Sequence, residues 1–419
     1  MKLKLAILAF AAILSAGCGA EKPSSAGQPA PLEQFDAAVQ EMTIAFFAHV
    51  PEAATQVSLP ESLVPGTSRR MMDRSVEGEA ARTEALEAAL QKLQAIDVTA
   101  LDPDRQRTHA MLTMLFDGML SPSRVVDYGT TAGAWTVWYM PFVINQNSGP
   151  TVDIPNFLNS QQPVTNAADA EVYLERLASV RAALDGSLDS YRHGVAQGAI
   201  PPDFIVDKSL AVVQAFVAPA ADQNPLYLTF DAKLQEAGVE NASDYSDRAL
   251  QILSNEVIPA YQRIADYLGE IKSSAPHDAG IWRLPNGEAL YAAMIRHMTD
   301  SNLTAEEVHR TGLAEVQRIT TEMDAILRSE GYNEGSVGER MQALNVEPRF
   351  IYSNDSAGRD KLLGDVRAYV NDMYTRLPTL FRDLPEHRVE VQAVPEFSQD
   401  SAPMGYYNNP APDGSRPGY

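Results

Sequence analysis

The sequence predicts a mainly α-helical body, on three observations. Apolar residues recur at spacings of three and four along most of the chain, capping and stop residues bracket those runs, and only one short segment alternates with period two. Leu32, Phe35, Val39, Met42 and Phe46 form the first stripe, and Leu86, Leu90, Leu93 and Ile96 the second. Asp102-Pro103 opens a helix through Leu112 and Leu115, since an Asp side chain accepts free N–H groups and proline has none to strand there. Residues 121–162 are rich in Gly, Pro and Asn and predict an irregular, partly extended connection. Its Trp135, Trp138, Tyr139 and Phe142 either pack as core or line an apolar pocket.

Helices resume with Val172, Leu177, Val180, Leu184, Leu188 and Tyr191, and Pro201-Pro202 opens another that ends before Pro219. Residues 243–273 form one helical run that Pro259 should kink or split. Over 301–331, Thr304 and Glu307 form a capping box, Val308, Val316, Ile319, Met323 and Ile326 an apolar stripe, and Gly331 a stop. The last helix covers 356–377, with Leu362, Leu363, Val366, Val370 and Met373. In 388–394 the period changes: Val389, Val391 and Ala393 share one face of a half-buried strand. Pro395 ends that strand, and the turn signal Asp413-Gly414 precedes Tyr419, so the small β element is incomplete. With no internal repeat and no clean linker after residue 31, residues 32–419 are expected to be one domain.

The balance is acidic, 33 basic against 55 acidic residues and a net charge of −22, with no cluster of Lys and Arg. This argues against nucleic acid and anionic headgroups as partners. The chain has one cysteine, Cys18, which excludes disulfides, cysteine metal sites and cysteine nucleophiles from the rest. Lys2 and Lys4 make a positive start, followed by the apolar run 5–14, about ten residues where a membrane span needs ~20. Ser15-Ala16-Gly17-Cys18 follows and resembles the lipobox of bacterial lipoproteins, with Leu14 one step earlier than usual. The resemblance implies a signal peptide over 1–17, cleavage before Cys18 and acylation of Cys18, with membrane attachment at ~0.8 kcal/mol per buried methylene. The alternative is a secreted chain with an incidental cysteine. Residues 18–31, with the polar Pro/Ser/Gly stretch 21–31, then form a flexible tether. Gly19 in place of Asp, by resemblance to envelope sorting signals, implies the outer membrane, facing the periplasm.

Chemistry is harder to find. None of the seven histidines lies three to five residues from another, so no helix turn presents two imidazoles to a metal. Gly-x-Ser-x-Gly, phosphate-loop and dinucleotide motifs are missing, and most of the 55 carboxylates read as solvated faces. His193 and His297 read as structural, and Gly287 and Gly312 as permitting a turn and a close helix contact.

Several segments taken together resemble the bacterial family called domain of unknown function 885. They are Gly287-Glu288-Ala289-Leu290-Tyr291, then Leu303 to Leu313 (LTAEEVHRTGL), Leu384-Pro385, Val389 and Val391, Tyr406-Tyr407, and Pro412 to Tyr419 (PDGSRPGY). Tyr191-Arg192-His193-Gly194, Gly198 and Pro201-Pro202 fit more loosely. The family is similar to helical zinc metallopeptidases of the thermolysin-like superfamily. The resemblance therefore implies a large multi-helix fold and peptide or amide hydrolysis by a Zn²⁺ site on a His-Glu-x-x-Pro-Gly-His-His helix. That motif does not occur in this sequence, so no catalytic or metal residue is assigned and no cofactor is expected here; zinc is expected only in the full-length family form.

By the same resemblance His309 borders a cleft, either touching substrate or hydrogen-bonded between helices. Tyr406, Tyr407 and Arg416 flank the strand, where a peptide-like substrate could add by β-pairing and Arg416 could bind a carboxylate; ordinary loop packing is the other reading. Two functions stay open: an inactive or fragmentary member of a peptidase-like family, and a non-enzymatic binding or scaffold lipoprotein.

Overall fold

Burial follows the predicted stripes in the N-terminal helices and departs from them towards the C-terminus. The computed structural model describes residues 31–131, 139–382, 384, 388–393, 405, 407 and 418, and it forms two compact units, Met1–Ala305 and Glu306–Tyr419. No helix among the described residues is long and apolar enough to cross a membrane.

In the first unit, α1 (Pro31–His49), α2 (Pro51–Gln56), α3 (Val76–Gln94) and α4 (Pro103–Leu120) enclose one core. Phe35, Met42 and Phe46 of α1 meet Leu86, Leu90 and Leu93 of α3 and Leu112 and Phe116 of α4 there. Asp102 caps α4 as its sequence predicts, accepting the N–H groups of Asp104 and Arg105 at 3.0 Å each.

A second core surrounds α6 (Ala167–Ala196), whose Leu177, Val180, Leu184, Leu188 and Tyr191 are all buried. Against it lie α7 (Asp203–Val217), α8 (Pro225–Glu236), α9 (Ala242–Ile252) and α10 (Ile258–Lys272), with Tyr173 stacked on Phe230 at 4.1 Å. Ahead of Pro259 the run divides into α9 and α10, as the proline predicts. A π-helical turn at Leu253–Val257 joins α9 to α10, and its wider winding accommodates a residue that lacks an N–H and crowds the preceding turn. The helix α8 has no counterpart in the sequence reading.

Region 121–162 corrects another expectation. It is irregular up to Gly149, with one antiparallel bridge between Thr130 and Met140, but Pro150–Ser160 is a helix, α5, with Pro155 inside it. Pro155 cannot donate to the Thr151 carbonyl four residues back, and the Tyr261 hydroxyl of α10 donates to that oxygen instead, at 3.3 Å. The composition resembles a loop because the compensating donor lies far away in sequence. Tyr139 is buried and Phe142 half-buried against the core, as the packing reading has it, whereas Trp135 and Trp138 fall outside the described residues. Helix α11 (Gly287–Thr299) packs on α4; a Cβ on Gly287 would stand 1.9 Å from the Ile281 carbonyl oxygen, so the turn does require glycine there.

The second unit holds α12 (Ala305–Ser329, entering from the first unit), α13 (Val337–Asn345) and α14 (Ser356–Arg376). Ser336 and Glu339 form a reciprocal capping box on α13. Three expectations fail here. The stripe of α12 is not buried: Val316, Ile319 and Ile326 are exposed, and Leu327 is the buried residue. Gly312 has open space where its side chain would be, so it makes no close helix contact. The predicted β element does not form, since no strand occurs among the described residues. Over 388–392 the alternation holds, with Val389 and Val391 half-buried between exposed neighbours, but Ala393, expected on the same face, is exposed. No strand pairs with it, however. Val389 donates to the Tyr374 hydroxyl at 2.9 Å, the Val391 carbonyl accepts from Arg367 at 3.1 Å, and Glu390 donates to the Gly418 carbonyl at 2.8 Å. Val394 lies outside the described residues.

Candidate functional site

The residues singled out from the sequence do not assemble into one described site. His309 is exposed on α12. Tyr407 is half-exposed and lies so close to Gly418 that any side chain there would collide with its ring. Cys18, Tyr406 and Arg416 fall outside the described residues. The histidines read as structural behave so: His193 Nε2 lies 2.9 Å from the Asp127 carbonyl oxygen, and His297 is buried against Gly118.

What the structure does bring together is a buried polar seam in the first unit, along the segment 70–75 (RMMDRS). Helix α6 straps this segment down. Ser179 accepts the Met71 N–H at 2.9 Å, Ser190 donates to the Arg74 carbonyl at 2.7 Å, and a Cβ on Gly186 would stand 2.9 Å from the Ser75 nitrogen. Arg176, fully buried, donates to the Arg70 carbonyl at 3.2 Å, to Thr55 at 2.9 Å, and to Gln162 and the Thr67 carbonyl. Burial draws its pKa down to about 10, which leaves it charged at neutral pH, and its guanidinium lies 5.0 Å from the Phe157 ring.

Held in this way, the segment presents charges to both sides. On one side the buried Glu52 accepts the Met72 N–H at 3.1 Å and pairs with Arg74 at 3.3 Å. Asp153 of α5 accepts the Gly149 N–H at 3.1 Å. Burial pushes its carboxyl above the ordinary range; Arg74 opposes this and Glu52 adds to it. On the other side Arg82 is buried and pairs with Glu79, which also accepts from Thr130 at 2.7 Å. His49 is held below the ordinary imidazole range by burial first, then by Arg82 and Arg70, against Asp73. Tyr139 is pushed well above the phenol range by burial, with Glu79 adding to it. Among the described residues Glu79 Oε1 and the Tyr139 hydroxyl are buried without a hydrogen-bond partner, so this end of the seam has unused polar capacity for a small polar group. None of these positions carries a sequence signal, because an acid on a helix reads as solvated until its distant neighbours are known.

Elsewhere in this unit an open groove of about 510 Å³ runs between α4 and α11, lined by His109, Thr113, Asp117, Arg296 and Asp300 among others. Its main pair, Arg296 with Asp117 at 3.0 Å, is partly solvated, and Asp117 is also held by Arg124 at 2.6 Å. Among the described residues no three His, Cys, Asp or Glu side chains converge as metal ligands. The described donors therefore do not fit a zinc ion.

Residues 51–419 match the family described as bacterial protein of unknown function (DUF885). The chain belongs to this DUF885 family. A similar solved structure is a candidate lipoprotein from Colwellia psychrerythraea, 28% identical in sequence with a TM-score of 0.84, covering 93% of this chain. This DUF885 chain spans 66% of the length of that one. No curated protein matches it.

Proposed function

We infer that this DUF885 chain is a lipid-anchored protein of the bacterial cell envelope, attached through Cys18 and facing the periplasm, at the outer membrane by its Gly19. The support is the lipobox-like start together with a 0.84 TM-score to a candidate lipoprotein over nearly the whole chain. On this reading the helical body is the larger part of a scaffold for peptide or amide hydrolysis, similar to helical zinc metallopeptidases. His309, Tyr406, Tyr407 and Arg416 would border its cleft. The sequence carries no His-Glu-x-x-Pro-Gly-His-His motif, and on this reading the chain by itself is inactive.

A binding or scaffold role without catalysis is the second reading, favoured by the enclosure of the seam's charged groups. Two measurements test the proposal. Cells labelled with palmitate should incorporate label into the wild type and not into Cys18→Ala; label in the variant refutes the anchor. Retention of one zinc per purified chain, or chelator-sensitive peptidase activity, refutes inactivity of the chain as given.

A further inference from the structure

We propose that the groove between α4 and α11 binds a short zwitterionic ligand of about tripeptide length, its carboxylate on Arg296 and its ammonium towards His109 and Asp300. All of the residues that line the groove belong to the first unit. The two helices meet at Gly118, where a Cβ would stand 2.8 Å from His297 Nδ1, and Ser121 donates to the Ala293 carbonyl at 3.2 Å. Those two contacts make the helices antiparallel, so the step from Arg296 to Asp300 runs towards Thr113 and His109. Helix α11 stops at Thr299, and Asp300 turns the chain away with a φ of 53°. The earlier turns of α4 therefore face the groove rather than a helix, and His109, Thr113 and Asp117, each one turn apart, line it in a column.

The two ends of that column differ in chemistry. At Asp117 the groove offers a cation. Arg296 donates from Nη2 to Asp117 at 3.0 Å, and Asp117 is already held by Arg124 at 2.6 Å. Among the described residues Nε and Nη1 of Arg296 make no hydrogen bond, and the side chain is 59% exposed, so a planar carboxylate finds N–H groups there. At the His109 end the groove offers acceptors. His109 Nε2 donates to the Leu93 carbonyl at 2.9 Å, which leaves Nδ1 of the neutral ring as an acceptor without a partner. Thr113 Oγ1, in the wall between, is buried with no hydrogen-bond partner among the described residues. Asp300 adds a negative charge, and the carbonyl end of α11 a partial one. An ammonium matches these acceptors, and a carboxylate matches the arginine. From His109 to Asp117 the column runs ~12 Å at 1.5 Å per residue, and an extended tripeptide spans up to ~10 Å at about 3.3 Å per residue. The volume, about 510 Å³, lies within the ~300–1,000 Å³ of small-ligand sites. Between the ends the exposed Met114 gives the middle of the ligand an adaptable apolar wall.

The site needs no metal, so it stands whether or not the scaffold hydrolyses anything. Isothermal titration of the full chain with trialanine at low salt should show one saturable site per chain. Acetylating the peptide's amine or amidating its carboxylate should each weaken binding about tenfold or more, the weight of a charge-assisted hydrogen bond. Arg296→Gln should weaken trialanine by a similar factor and bind trialanine and its amide alike. Asp300→Asn keeps a residue tolerant of the left-handed turn and should reduce the preference for the free over the acetylated amine severalfold. Arg248→Gln, outside the groove, should leave binding unchanged. All three side chains are exposed, so the variants should unfold at the wild-type midpoint. No binding at millimolar trialanine, equal binding of the capped peptides, or an Arg296→Gln chain that still prefers the free carboxylate would each overturn the proposal. Propionate bound as tightly as trialanine would overturn it too, by showing a site for a lone anion.

Discussion

Asp153 and Glu52 share one arginine, and that unequal arrangement decides how pH acts on the first unit. Arg74 pairs directly with Glu52 at 3.3 Å, while Asp153 has the Gly149 N–H and a more distant share of the same cation. Burial raises the folded-state pKa of Asp153 above its unfolded value, so the folded state holds this proton more tightly. The stabilisation is complete below the unfolded pKa and is lost as pH rises through the folded one; at neutral pH the ionised carboxylate is a net cost. Asp153→Asn keeps an acceptor for Gly149 and removes that cost. Its melting temperature relative to wild type should therefore be higher at pH 7.5 than at pH 4.5, and scanning calorimetry at the two values would reveal a reversed order if the carboxylate is instead stabilised by Arg74. Neither residue was legible as buried, because an acid among 55 acids carries no local mark of the contacts that enclose it.

At the scale of elements, most helices were legible because their stripes and caps are local, as Asp102 on α4 shows. Two of the misses share a cause: α5 depends on a remote donor, and the period-two segment at Val389 lacks a partner strand among the described residues. In α5 the Tyr261 hydroxyl substitutes for the N–H that Pro155 cannot offer to Thr151. Tyr261→Phe should then cost about 1–3 kcal/mol in urea unfolding, the penalty of an orphaned buried acceptor. Restoring the local donor with Pro155→Ala should absorb most of that loss. A double-mutant cycle with no coupling between the two positions would refute the substitution.

For the molecule as a whole, the fold class was legible and the uneven distribution of its core was not. Stripes in α1, α6 and α12 look alike in sequence, yet the first two are buried and the third is solvated, because burial depends on what lies opposite. Amide exchange should reproduce this contrast. Tyr173, Val180 and Leu184 of α6 should exchange near the global unfolding limit, and the midsections of α12 and α14 orders of magnitude faster. Equal protection across the two units would show that the second possesses a core of its own. Of the function-related features, the family resemblance could be read from sequence, while the seam is a product of tertiary structure.

The strap that α6 lays over segment 70–75 also sets an order in time. Arg176 reaches back 121 residues to Thr55, Ser190 reaches 116 to Arg74, and Ser179 reaches 108 to Met71. At synthesis rates of about 5–20 residues per second, the early helices wait several seconds before their clasp exists. During that interval Met71, which packs in the core around α6, has nothing to cover it, whereas Met72 packs with α1, α3 and α4. Contacts of such long sequence separation form late and slowly, so the clasp on segment 70–75 should close after the core of α1, α3 and α4 has formed. A nascent chain halted before residue 176 would therefore be the form most prone to aggregate.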